Sequence, residues 1–191
     1  NMPKGYGVEV DFNGPRENFL RYSIDAKRQK GDSYSGELGW TSFYKGSISI
    51  SPIETLTAKL SYSHTEETDW LNWISDNLLA TYDRKQRRTT ASIQWFEGTK
   101  HELRVKSQML AFTARNPKPY LGDLNGNLNP FQTSLPPITV SQLAFQVRYR
   151  YEIQPLAYLY VVYTKGGRVA MYDEEDSLNE LYKRPWNDPQ S

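Results

Sequence analysis

The 191-residue chain contains no cysteine, which excludes disulfide scaffolds, cysteine-ligated zinc, iron–sulfur clusters and thiol catalysis. No stretch approaches the ~18 consecutive apolar residues that a transmembrane helix requires. The first residues have neither the basic nor the apolar region of a signal peptide, as expected for a mature chain or an excised fragment. With Lys+Arg 23 against Asp+Glu 22, no charge excess points to nucleic acid, so we expect no nucleic-acid partner.

Aromatic residues are abundant although the chain as a whole is polar. The sequence has 14 Tyr and 5 Trp, yet only 38% hydrophobic residues and a mean hydropathy of -0.72. A core of ordinary size needs more Leu, Ile and Val than this. Either the core is small, or the apolar surface follows a pattern that an average over the chain does not register.

That pattern is an alternation of apolar and polar residues along most of the chain. Period-2 alternation predicts strands with one apolar and one polar face. It is clearest in residues 143–151 and recurs in 20–27, 56–63, 90–95 and 103–106. We predict about eight strands, several of ten residues or more, where ordinary strands average ~5–6.

The predicted connections alternate in length, except that the second link, residues 30–33, is short on the side where the others are long. Short turns are predicted at 13–16, 51–54, 97–100 and 154–155, whereas long polar segments follow the fourth strand (65–87), the sixth (115–139) and the eighth (from 165). Short turns at one end and long loops at the other are typical of an up-and-down transmembrane β-barrel. The prediction is therefore an all-β antiparallel meander. It forms a transmembrane barrel or a large part of one, as a single domain over residues 1–191 or as the C-terminal fragment of a larger barrel.

The alternation leaves two environments open. In a soluble sandwich or barrel the apolar face is core, whereas in a membrane barrel it contacts lipid and the charged face lines the lumen. Tyr and Trp suit the bilayer–water interface, and several lie near predicted strand ends, which favours the membrane barrel: Trp40, Tyr44, Trp95, Tyr151 and Tyr163.

In the membrane interpretation the charged face points into the lumen. About eight strands leave an interior just filled by side chains, so the charges would pair, whereas a wider barrel would place them around water. The alternative is an ordinary solvated sheet face. The predicted lumen-facing charges are Arg21, Asp25, Lys27, Lys59, Arg104, Lys106, Arg148, Arg150 and Glu152, joined by Glu9, Asp11, Glu37 and Glu102.

Several stretches together resemble a known protein family. They resemble the C-terminal barrel domain, of unknown function, of bacterial proteins that begin with a family-nine-type carbohydrate-binding domain. The resemblance covers most of the chain from about residue 30. Its motifs are Trp95-Phe96-x4-His101-Glu102-Leu103-Arg104-x-Lys106-x-Gln108, Phe145-Gln146-x-Arg148-Tyr149-Arg150-Tyr151-Glu152-x2-Pro155-x4-Tyr160-x-Val162-Tyr163-x2-Gly166-Gly167, Gly46-Ser47-x-Ser49-x-Ser51-Pro52 and Trp70-Leu71.

The resemblance implies a barrel in the outer membrane of a Gram-negative bacterium, with a sugar-binding module or partner chain upstream. It transfers no catalytic residue. Two features depart from the family: the carbohydrate-binding portion is absent, and no final membrane strand follows the last loop, which suggests a fragment. We therefore expect a surface receptor or conduit linked to glycan binding or uptake, in contact with outer-membrane lipid and lipopolysaccharide.

The predicted loop over 65–87 holds the candidate ligand contacts. Trp70, Trp73 and Tyr82 are planar rings near carboxylates, so they could stack on sugars or, alternatively, anchor the loop. The basic cluster at 84–88 could contact lipopolysaccharide phosphates or simply be solvated.

No catalytic, metal or cofactor site is predicted. His64 and His101 are the two histidines, and no G-x-S-x-G elbow accompanies them. An outer-membrane hydrolase therefore stays only as an alternative. Asp123, Asn125 and Asn127 have the alternating oxygens of a calcium loop, but the EF-hand spacing fails and a turn is the better interpretation.

Overall fold

The computed structural model describes residues 5–14, 19–32, 37–171 and 180–181. They form nine strands: β1 (Tyr6–Asn13), β2 (Leu20–Asp32), β3 (Glu37–Ile53), β4 (Leu56–Ser75), β5 (Leu78–Glu97), β6 (His101–Gly122), β7 (Leu128–Pro130), β8 (Ile138–Gln154) and β9 (Ala157–Met171). Within these ranges no helix is both long and apolar enough to cross a membrane.

All nine strands belong to one antiparallel sheet. Its order is β1-β2-β3-β4-β5-β6-β8-β9, and the three-residue β7 pairs with the far end of β6. Each long strand thus pairs with the next long strand along the chain, which confirms the predicted meander with eight long strands. The sheet is not closed: β1 and β9 are its two edges within the described part of the chain.

Three of the predicted short turns are confirmed. β3 joins β4 through residues 54–55, β5 joins β6 through 98–100, and β8 joins β9 through 155–156. Gly98 has a φ of 56° and Leu156 a φ of 66°, the left-handed conformation that tight hairpin turns require. The first predicted turn extends into residues 15–18, outside the described residues.

The predicted long loop over 65–87 is wrong, and with it the placement of Trp70, Trp73 and Tyr82 in a loop. β4 continues to Ser75 and β5 begins at Leu78, so the segment is a hairpin with a two-residue turn. β6 likewise continues to Gly122 into the predicted loop 115–139, and β9 runs past residue 165 to Met171.

The alternation fails there for two physical reasons. Residues such as those at 84–88 are polar on both faces, as expected where both faces contact water. The strands also contain irregularities: Asp69 and Asn116 have φ values of 56° and 54°, and the β4–β5 register shifts between Glu67 and Trp70. A one-residue shift moves the following side chains to the opposite face.

The register assigns each side chain to a face. Directly opposed residues of antiparallel strands share a face, and one row of opposed residues runs Arg21, Ser49, Lys59, Ser92, Lys106, Gln146 and Thr164. We call the face that carries this row the polar face. All nine predicted lumen-facing charges lie on it. Each of them is either in this row or an even number of positions along the same strand from a residue of the row.

The opposite face, which we call the apolar face, carries the hydrophobic half of the alternation. One of its rows runs Leu20, Ile50, Ala58, Ile93, Val105, Val147 and Tyr163. Most of this face is uncovered: the exposed fraction is 57% for Ile24, 48% for Leu60 and 45% for Ile93. A local exception is Ser141, whose hydroxyl donates to the carbonyl of the buried Leu181.

The main buried cluster lies on the polar face, at the end that residues 65–87 and 112–122 form (the long-hairpin end). Ala80, Tyr82 and Ala114 are its centre. The opposite end, with turns 54–55, 98–100 and 155–156, is the short-turn end. Five partly buried residues complete the cluster: Trp70, Ile74, Phe112, Leu135 and Ile138.

Candidate functional site

Three cations lie in one row across the middle of the polar face. Arg21 on β2, Lys59 on β4 and Lys106 on β6 are separated by Ser49 and Ser92 on the strands between them. Since neighbouring strands are ~4.7–4.9 Å apart, successive cations start from backbone positions about 10 Å apart. We call these five residues the cation row.

The three cations of the row are exposed. None forms an ion pair or hydrogen bond within the described residues. Other cations of the polar face do: Lys45 lies 3.3 Å from the carboxylate of Asp25. The row is therefore a concentration of positive charge without local neutralisation.

Two adjoining grooves contain the row. A groove of about 860 Å³ includes Arg21 and Lys59. A second groove of about 650 Å³ includes Lys106, and both are lined by Thr90 and Ser92. The floor beside the cations is rich in neutral hydrogen-bonding groups: Asn13, Ser23, Ser47, Ser61 and Gln108. These neutral residues were not among the predicted site residues, although Ser47, Ser49 and Ser51 at alternate positions indicate a strand face with small, polar side chains.

A second cluster surrounds Glu102, toward the short-turn end of the polar face. Glu102 is 4% exposed, and it forms an ion pair with Arg104 Nε and another, of 3.2 Å, with Arg150 Nε. The amide of Gln94 lies 3.5 Å from its Oε1. One nearly buried carboxylate thus holds two guanidinium groups on neighbouring strands.

Aromatic rings of β9 cover the arginines of β8. The guanidinium carbon of Arg148 lies 4.9 Å from the ring centroid of Tyr160, and that of Arg150 lies 5.1 Å from that of Tyr158. These are cation–π contacts. Neither tyrosine was predicted as a partner of these arginines, because pairing across β8 and β9 depends on register.

The remaining predicted charges have separate surroundings. Lys27 lies 3.9 Å from Glu9. Glu152 has no ion pair within the described residues. The structure therefore brings Arg104 and Arg150 together around Glu102, pairs Lys27 and Asp25 with neighbouring strands, and leaves the cation row unpaired.

Two of the three rings predicted to contact glycans pack inside the long-hairpin end. Tyr82 is 2% exposed, and its ring centroid lies 6.3 Å from that of Trp70. Arg84 places its guanidinium 5.0 Å from the Trp70 ring and donates to Glu67 at 2.8 Å. This packing favours the alternative that these two rings anchor the hairpin. Glycan contact stays a prediction.

Trp73 differs from the other two rings. It is 64% exposed on the hairpin tip, and its Nε1 donates to the carbonyl of Asp76 at 3.0 Å. The hydrogen bond holds the indole in one orientation while leaving its faces accessible.

The two histidines have partners other than a catalytic pair. His64 lies 3.1 Å from Glu66. His101 Nδ1 lies 2.5 Å from the Tyr149 hydroxyl, and its ring stacks on Tyr151 at 4.8 Å. Within the described residues no three acidic or histidine side chains are grouped so that they could hold a metal ion.

The loop between β6 and β7 is organised by Asp123. Its carboxylate accepts hydrogen bonds from the backbone N–H groups of Asn125 and Asn127 and from the Asn127 side-chain amide, all at 2.8–2.9 Å. Gly126, at a φ of 81°, supplies the turn. This is the turn preferred in the sequence analysis over a calcium loop, with the carboxylate oxygens engaged by the loop itself.

We expect this loop to lose order in acid. Hydrogen bonds from the Asn127 side chain, then from backbone N–H groups, lower the pKa of Asp123 from its ordinary value of 3.8. A lowered pKa means that the stabilisation is complete above 3.8 and is lost as the pH falls through the folded value. The measurement is the Asn127 amide NMR shift between pH 6 and pH 2; a midpoint above 3.8, or the same titration in Asp123→Asn, would contradict it.

The comparisons with known proteins found nothing similar. No protein family, no curated protein and no solved structure matches the chain.

Proposed function

We propose that this chain forms part of an outer-membrane β-barrel of a Gram-negative bacterium, working as a surface receptor or conduit with its apolar face on lipid and its polar face toward a lumen. The observation that carries the proposal is the uncovered apolar face. Ile24, Leu60 and Ile93 on three different strands are each exposed by 45% or more, and no second sheet packs on them within the described residues. Soluble proteins rarely expose continuous apolar patches of more than a few hundred Å².

Strand length supports the same proposal. A tilted membrane strand needs ~9–11 residues, whereas β4, β5 and β6 have 20, 20 and 22 residues. The surplus lies at the long-hairpin end, where the apolar alternation stops. Since the longer connections of such barrels are extracellular and their turns periplasmic, the long-hairpin end projects from the cell and the short-turn end faces the periplasm.

Closure is a physical requirement of the proposal. Unpaired backbone groups cannot remain in hydrocarbon, and β1 and β9 each have one edge unpaired within the described chain. In the membrane both edges must therefore be paired, either with each other or with strands outside the described residues.

Glycan reception is the receptor part of the proposal. Its support is the indole of Trp73, which is exposed at the projecting tip and oriented by its bond to Asp76. Flat, fixed aromatic faces suit the apolar faces of sugar rings.

The test is the solvent that the folded chain requires. We expect β-sheet spectra and a monodisperse species only in detergent or lipid vesicles, because the apolar face needs a hydrocarbon environment. We also expect the migration of the protein on gel electrophoresis to change when the sample is heated. Dilution into detergent-free buffer should cause aggregation. A β-rich, monodisperse protein in plain buffer would refute the proposal and favour a soluble binding module.

A further inference from the structure

We propose that the cation row binds oxyanions, meaning carboxylate or phosphate groups that are free or carried by a saccharide. The proposal deepens the proposed function, because it takes the polar face as the surface that a passing or captured ligand meets. It assigns a ligand class to Arg21, Lys59 and Lys106.

The cation row concentrates positive charge locally. The row holds three cations, and its two serines are neutral. The neighbouring row on the long-hairpin side contains only uncharged residues on β1 to β6: Asn13, Ser23, Ser47, Ser61, Thr90 and Gln108.

The row on the short-turn side adds positive charge. Gln94, Arg104 and Arg148 are opposed across β5, β6 and β8. The nearest carboxylate beyond them, Glu102, is already engaged by Arg104 and Arg150. Although the whole chain has a net charge of only +1, this strip of the polar face is strongly cationic, which raises the local concentration of anions.

Hydrogen-bonding groups lie beside the three cations. Ser49 and Ser92 lie between the cations, and their hydroxyls can donate to an oxyanion while Arg21 and the lysines supply charge-assisted bonds. A groove of about 860 Å³ holds Arg21 and Lys59 together with these hydroxyls. Rings of Arg and Lys are the arrangement that selects anions and phosphate in pores.

The experiment measures binding of inorganic phosphate, galacturonate and neutral glucose to the full chain in detergent micelles by titration calorimetry. We expect phosphate and galacturonate to bind and glucose not to bind. Lys59→Gln should weaken anion binding about fivefold, because it removes one water-screened Coulomb attraction. The triple variant Arg21→Gln, Lys59→Gln, Lys106→Gln removes three such attractions and should weaken binding by about a hundredfold. Lys100→Gln, on the 98–100 turn outside both grooves, is the matched control and should leave binding unchanged.

Each result decides the proposal. If galacturonate binds and phosphate does not, the ligand is an anionic saccharide, and the reverse result indicates free phosphate; both support the row as an oxyanion site. Equal loss in Lys100→Gln, unchanged binding in the triple variant, or tighter binding of glucose than of galacturonate would overturn it. Detergent dependence is scored separately, so a folded membrane protein that binds no anion refutes this inference and leaves the proposed function intact.

Discussion

Leu60→Arg is expected to lower the free energy of unfolding in lipid vesicles by about 2–4 kcal/mol, the range for an arginine on the lipid face near the bilayer midplane. Leu60 lies in the apolar alternation of β4, opposite Ile48 and Ala91. Leu60 is 48% exposed, so an arginine at this position would lower the stability little if water contacted this face. The large effect arises only if hydrocarbon contacts this position.

Ser61→Arg is the matched control for this substitution. Ser61 is the next residue along β4 and lies on the polar face, opposite Ser47 and Thr90. We expect a change below about 1 kcal/mol, typical of surface substitutions and of mild repulsion from Lys59. Urea titration of vesicle-folded protein compares the two. Equal, small effects for Leu60→Arg and Ser61→Arg would show that the apolar face does not contact lipid.

Glu102→Gln is expected to lower the free energy of unfolding by about 2 kcal/mol, less than the 3–5 kcal/mol typical of breaking a fully buried ion pair. The substitution keeps the shape of the side chain but removes the charge that holds two guanidinium groups. Arg104 and Arg150 would then face each other without a counterion. The expected loss is smaller because the side chains of Arg104 and Arg150 are 44% and 28% exposed and so are partly screened by water.

Glu152→Gln is the control, since it removes the same charge from the same face. Glu152 forms no ion pair within the described residues, so we expect a change within about 0.5 kcal/mol. Urea unfolding midpoints and slopes for both variants provide the comparison. Comparable losses for Glu102→Gln and Glu152→Gln would show that the cluster around Glu102 contributes no more than an ordinary surface charge.

Local alternation was sufficient to predict the strands and their faces where the sheet separates two environments. Residues 143–151 are the clearest example. Arg148 and Arg150 were predicted on the opposite face of the strand from Val147 and Tyr149, and they lie on that opposite face in β8. The reason is that side chains of any strand alternate between two faces with a period of two, whatever its neighbours are. The short turns at 98–100 and 155–156 followed from the same local signals.

The same reasoning failed beyond the apolar stretch. Residues 65–69 and 83–87 have polar side chains on both faces, residues 70–82 mix apolar and polar side chains without alternation, and the strand is irregular at Asp69, so no period of two marks a strand. Pairing between β4 and β5 extends the hairpin through backbone hydrogen bonds that any sequence can form. The burial of Tyr82 under Trp70 and Phe112 also depends on this pairing.

The amino-acid sequence alone was enough to predict a meander of hairpins with one apolar and one charged face, because both properties depend on the spacing of neighbouring residues. Which of the charged residues have partners depends on the tertiary structure. Glu102 forms an ion pair with Arg150 from β8, whereas Arg21, Lys59 and Lys106 lie beside neutral residues, namely Ser49, Ser92 and Gln146. The cause is register, which aligns residues 38–48 positions apart, and such alignment depends on how whole strands are placed against one another.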